Sequence, residues 1–111
     1  MRKRKVTASF LDELIAEAIT DAYTESEQVG GFLVMIEENL ALPFATEVLG
    51  QEVTVIKIDI TSRDHIMAIC SRGKVPQAIP ILDLPMPNPR REGAEWIDAY
   101  RRWYGNPQFV D

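Results

Sequence analysis

The chain has 111 residues, 46% of them hydrophobic and 26% charged, with a formal net charge of −5. That length suits one domain with a sizeable core, and the composition is that of an ordinary globular protein. A single cysteine, Cys70, excludes an internal disulfide and the paired thiolates of a zinc finger, and it fits a reducing cytoplasm.

Charge is unevenly placed along the chain. Arg2, Lys3, Arg4 and Lys5 make a basic start, and the other eight basic residues face seventeen acidic ones, so residues 6–111 carry −9. From Arg90 onward the charges cancel, which puts the whole excess between Val6 and Pro89. Such a body repels phosphate backbones and attracts cations. A nucleic-acid partner is therefore disfavoured. The MRKRK start could be taken for the basic end of a signal peptide, but Asp12, Glu13, Glu17 and Asp21 follow it, so no apolar signal core is expected. No run reaches the roughly 20 apolar residues of a membrane span. The expectation is a cytoplasmic protein without membrane contact: a flexible basic arm at residues 1–8 and one domain at residues 9–111.

In chain order, Ser9 is a plausible helix N-cap with Asp12 in the capping-box position. Phe10, Leu11, Leu14, Ile15, Ala18, Ile19, Ala22 and Tyr23 then recur at helical spacing, which predicts a first amphipathic helix. Gly30-Gly31 is expected to break it. A second, short helix, FLVMIEENL, stops before Pro43, because proline disfavours helical geometry in its predecessor.

From Phe44 the pattern turns to β. "FATEVLG" and "QEVTVIKIDIT" are joined at Gly50-Gln51, and "HIMAICSRG" follows the turn Ser62-Arg63-Asp64. The apolar parity flips between Val55 and Ile56, which predicts a bulge or strong bend of the kind that curls a small sheet into a barrel. "VPQAIPI" supplies a fourth strand, confined to an edge or a barrel rim by Pro76 and Pro80. After the rigid "LPMPNP", the segment "GAEWIDAYRRWYG" forms a closing helix with Trp96, Ile97, Tyr100, Trp103 and Tyr104 as a core-packing stripe. The fold class is α+β: two N-terminal helices, a small curled antiparallel sheet or SH3-like partial barrel, and one C-terminal helix.

Nucleophilic catalysis needs a base beside the nucleophile. His65 and Cys70 are five apart on a strand and point to opposite faces. Met67 and Ile69 share the face of His65, which makes that face the expected core or interface. No GxSxG, P-loop or GxGxxG motif is present. An enzyme is not expected.

Imidazole and thiolate are too scarce for zinc or iron, whereas plentiful carboxylates suit calcium or magnesium. "DITSRDHIM" has Arg63 and no glycine, so it fails as an EF-hand loop. Glu37 and Glu38 end the second helix, where the macrodipole disfavours anions. A divalent cation would relieve their repulsion and would also find free helix-end carbonyls there. Glu47 returns nearby on the first strand, and Asp59 on the second strand is expected either to face the same rim or to be neutralised by Lys57 beside it. The plain alternative is that Glu37 and Glu38 face water. The stripe Glu13, Glu17 and Asp21 reads as a solvated face, Asp64 as a turn residue, and Asp83 as the cap of a tight turn.

The run "EENLALPF", the strand "TEVLGQEVTVIKIDIT", the segment "IPILDLPMP" and the closing "GAEWIDAYRRW" together resemble the CcbP-type calcium-binding proteins. These are small acidic bacterial proteins known from cyanobacteria, and the match runs from about Phe32 to Trp103. The resemblance implies a non-EF-hand protein that binds or buffers calcium, and it gives more weight to Glu37, Glu38 and Glu47 as metal ligands. Asp59 is added on position alone. The competing class is an SH3-like or Sm-like barrel that binds protein or nucleic acid through a strand edge, assisted by the MRKRK arm.

Overall fold

The computed structural model describes residues 7–105; most of the expected basic arm, including MRKRK, lies outside them. The order is α1 (Ala8–Ala18), α2 (Glu25–Asn39), β1 (Phe44–Val48), β2 (Gln51–Ile60), β3 (Ile66–Arg72), β4 (Val75–Pro80), a short 3-10 turn (Ile81–Asp83) and α3 (Glu95–Gly105). The chain is α+β, as its pattern predicts.

The helix boundaries differ from expectation. Thr7, not Ser9, caps α1, its hydroxyl accepting from the Phe10 amide at 3.1 Å. Asp12 is released from capping and pairs with Arg102 at 2.7 Å. α1 ends at Ala18, so the row Glu13, Glu17, Asp21 is cut short. Asp21 takes the left-handed conformation at φ 64, and Tyr23 is 85% exposed between the helices instead of on α1. The break comes here because Thr24 and Glu27 form a reciprocal capping box. The Thr24 hydroxyl accepts from the Glu27 amide at 3.1 Å, while the Glu27 carboxylate accepts from the Thr24 and Tyr23 amides at 3.0 and 2.8 Å.

Gly30-Gly31 does not break the helix; α2 runs straight through it. A Cβ on Gly31 would overlap the carbonyl oxygen of Ala18. The second glycine lets α2 close against the end of α1.

The sheet is an antiparallel meander in the order β1-β2-β3-β4. β1 and β2 join through Leu49 and Gly50, both at positive φ (52 and 76). This is the two-residue hairpin turn whose twist matches that of the strands. The pairing of β2 with β3 shifts between Val55 and Lys57, so the bulge sits where the parity flip predicts it. It turns Ile56 outward while Val53, Val55 and Ile58 remain buried. The bulge bends the sheet without closing it. β1 and β4 are its two edges, and no barrel forms. β4, with Pro76 and Pro80, is the expected edge strand.

On β3 the buried residues are Ile66, Ala68 and Cys70. The core face is therefore opposite to the one expected from His65, Met67 and Ile69. Register decides it: Ala68 and Cys70 lie across from the buried Ile58 and Val55. Trp96, Ile97, Tyr100 and Trp103 of α3 are buried as expected, whereas Tyr104 is 56% exposed. Phe32 of α2 meets the rings of Tyr100 and Trp103 at 5.4 and 5.3 Å.

Candidate functional site

Glu37 and Glu38 are exposed in the last turn of α2, which contains no basic residue. Part of the carbonyl set at this helix end is already used. The Asn39 side chain donates to the Met35 carbonyl at 2.8 Å, and the Leu40 amide to that of Ile36 at 2.9 Å. The cation beside this end is Arg91, fifty residues further along the chain. Its Nε donates to the Ala41 carbonyl at 3.3 Å, and its guanidinium lies over the Phe44 ring at 5.7 Å. The Ala41 amide donates to the Glu92 carbonyl at 2.9 Å. Gly93, at φ 90, follows so closely that a Cβ there would overlap the Asn39 carbonyl.

Glu47 is exposed on β1, directly opposite Glu52 on β2. Residues in that relation hold their Cβ atoms roughly 5 Å apart on one face of the sheet, and like charges there destabilise the pair. Neither glutamate forms a salt bridge among the described residues. Both line a surface cleft of about 370 Å³ bordered by Thr46, Pro85, Met86 and Pro87. The Thr46 hydroxyl, from a residue only 7% exposed, donates to the Pro85 carbonyl at 2.8 Å and holds the proline-rich connector against β1. Glu52 is the residue that sequence reasoning missed. Centring the turn on Leu49-Gly50 pairs positions 47 and 52, whereas a turn at Gly50-Gln51 pairs position 47 with position 54.

Asp59 is exposed far along β2 and accepts from the Ile60 amide at 2.8 Å. Seven residues separate it from Glu52, roughly 20 Å at strand spacing, so Asp59 does not share a rim with Glu47. Among the described residues, no three Asp, Glu, His or Cys side chains gather closely enough to hold a metal ion. Glu47 and Glu52 face each other across the strands, whereas Glu37 and Glu38 are consecutive in α2 and diverge around the helix.

Other carboxylates are committed to the scaffold. Arg102 holds the Asp12 carboxyl below its ordinary range. The Tyr23 and Thr24 amides do the same for Glu27. Asp98 takes both ends of the Arg90 guanidinium at 2.7 and 3.0 Å. Cys70 is buried, and burial raises its pKa. His65 is exposed just before β3. The two make no nucleophile–base pair.

No helix among the described residues is long and apolar enough to cross a membrane. The sequence matches no family model, and no curated protein is similar to it in sequence. Its fold is similar to that of solved structures. One is the crystal structure of Anabaena CcbP, with a TM-score of 0.69 and 15% identity over 96% of this chain and 97% of that one. Another is a calcium-binding protein in its calcium-binding form, with a TM-score of 0.70 and 16% identity over 92% and 95% of the two chains. Over nearly its whole length, this chain has the fold of Anabaena CcbP.

Proposed function

We propose that the chain is a calcium-binding protein of non-EF-hand type that buffers the ion through paired surface carboxylates. The observation that carries this reading is the register of Glu47 against Glu52, two like charges in direct opposition with no salt-bridge partner among the described residues. Like charges directly opposed on one face of a sheet destabilise the pair, and a divalent ion bound between them removes that cost. Carboxylate oxygens are the donors calcium prefers, and water fills the rest of its six to eight positions. Glu37 and Glu38 make a second, looser pair. With two protein carboxylates per site, affinity falls in the weak range, on the order of 10⁻⁴ M or weaker. That suits buffering better than sensing. The likeness in fold to a protein in its calcium-binding form supports the same reading. The role is non-enzymatic, in keeping with the separation of His65 from Cys70.

Calorimetric titration with calcium, repeated with magnesium, tests the proposal. Saturable calcium binding is expected, with weaker magnesium binding because magnesium demands strict octahedral geometry and sheds water reluctantly. Glu47→Gln with Glu52→Gln should abolish the stronger site, and Glu37→Gln with Glu38→Gln the weaker one. Absence of saturable calcium binding by the unaltered chain at millimolar concentration overturns the function. An unchanged titration of the Glu47/Glu52 variant overturns the site.

A further inference from the structure

A second concavity involves none of these glutamates. It is a cleft of about 330 Å³ where the ends of β3, β4 and α3 meet, walled largely by Met67, Ile81 and Leu82, with His65, Tyr100 and Tyr104 also lining it. That volume is at the lower end of small-molecule sites. Tyr100 is 2% exposed and packed against Phe32 and Trp103, yet its hydroxyl makes no hydrogen bond within the described residues. A buried tyrosine ordinarily finds a partner for that group. No fully buried polar side-chain atom among the described residues lacks a partner. The Tyr100 hydroxyl therefore keeps its small exposure, and the open space Tyr100 lines is the cleft. Thr61, also at the cleft, has its hydroxyl occupied by the Arg63 and His65 amides at 3.2 and 3.1 Å.

The electrostatic setting narrows the ligand. An adjoining recess of about 150 Å³ shares His65 and Tyr104 with the cleft and adds Glu25, Asp64 and Arg63. Burial, together with the negative charge of Tyr104, Asp64 and Glu25, pushes the Tyr100 pKa up to about 12. Two carboxylates thus bear on the hydroxyl that lacks a partner. Arg63 lines the recess but not the cleft. Arg101 donates to the carbonyl of Leu82 at 2.9 Å but does not line the cleft, and in the adjoining recess two carboxylates stand against one arginine, a balance that favours a cation at the hydroxyl.

We propose that this cleft binds a small organic amine, its apolar body lying among Met67, Ile81 and Leu82 and its amino group donating to the Tyr100 hydroxyl in the field of Glu25 and Asp64. The exposed ring of Tyr104 flanks the entrance, where an aromatic face also favours a cation.

Three probes sharing one body test this on the full chain by NMR titration: 2-phenylethylamine, phenylacetate and ethylbenzene. The amine should shift the Tyr100, Tyr104 and His65 resonances saturably, and phenylacetate should bind at least about tenfold more weakly, a difference of about 1.4 kcal/mol. Tyr100→Phe keeps the ring and should weaken the amine about fivefold, the size of one ordinary hydrogen bond, while leaving ethylbenzene unchanged. Should that variant not fold, Glu25→Gln with Asp64→Asn, both at the surface, should erase the preference for amine over carboxylate. The proposal fails if no probe binds saturably or if phenylacetate equals the amine. It also fails if the amine binds a folded Tyr100→Phe chain undiminished, or if the Glu25/Asp64 variant keeps the preference.

Discussion

Gly30 and Gly31 are neighbours in α2 with opposite surroundings. A Cβ at Gly30 meets nothing within 4 Å, whereas one at Gly31 overlaps the Ala18 carbonyl. Gly30→Ala should stabilise the fold by about 0.5–1 kcal/mol through lower chain entropy in the helix. Gly31→Ala should destabilise it by about 1–3 kcal/mol through overpacking. Urea denaturation of the two variants checks both signs. Tyr100 gives a second residue-scale prediction. Its ionisation is raised from 10.0 to about 12 in the folded chain, so the native state holds its proton longer than the unfolded state does. Stability is thus intact below pH 10 and declines as pH rises from 10 through 12. A spectroscopic alkaline titration should show a late tyrosine step near pH 12, and Tyr100→Phe should remove it. The two glycines also show how local the limits of sequence reading are. "GG" reads as a helix break, and nothing in the sequence tells that one of the pair is needed for an approach between helices. Glu47 was legible as an acidic strand residue. Glu52 was not, because its partnership depends on where the turn is centred.

At the scale of elements, the β1–β2 hairpin is held together by a strained tip. Leu49 is 97% exposed at φ 52, a conformation that costs a non-glycine residue roughly 1–2 kcal/mol. Asp21 and Asp64, at φ 64 and 62, are the residue type that tolerates it. Leu49→Asn makes the Asn-Gly pair this turn favours and should raise stability by about 1 kcal/mol, measured by thermal unfolding, with β1–β2 pairing intact. The four strand segments, the irregularity after Val55 and the proline-marked edge were legible, because period-two alternation and proline act locally. The inward face of β3 was not. Its alternation runs apolar on both sides, and only pairing with Val55 and Ile58 selects Ala68 and Cys70. The boundary between α1 and α2 was missed for a related reason. The Thr24–Glu27 capping box is written in the sequence, but apolar Ala22 and Tyr23 continue the helical spacing across it.

For the whole molecule, the relevant quantity is unbalanced charge. The two ion pairs among the described residues use Asp12 and Asp98, leaving the paired glutamates without salt-bridge partners. An ion that binds only the folded chain stabilises it by about 2.7 kcal/mol at a hundredfold excess over its dissociation constant. For a domain of this size, that is a rise in melting temperature on the order of 10 °C. Thermal unfolding in about 10 mM calcium should show it, chelator should reverse it, and the Glu47/Glu52 variant should lose most of it. A melting curve indifferent to calcium counts against binding to the native state.

The ion pair between Asp12 and Arg102 spans ninety positions, and the bond from the Trp103 indole to Gln28 spans seventy-five. These contacts join the last helix to the first two, and Phe32 finds its aromatic neighbours only there. During synthesis, α1 and α2 emerge early with their apolar faces uncovered and wait while the whole sheet is made. At about 5–20 residues per second, that interval lasts several seconds. The meander can pair as it emerges, since each strand follows its neighbour, and α2 can meet both α1 and β2, but the helical layer is completed only by α3. Assembly is therefore expected in two stages, the sheet with α1 and α2 first and α3 last, with the arrival of α3 as the step that commits the chain to its native state.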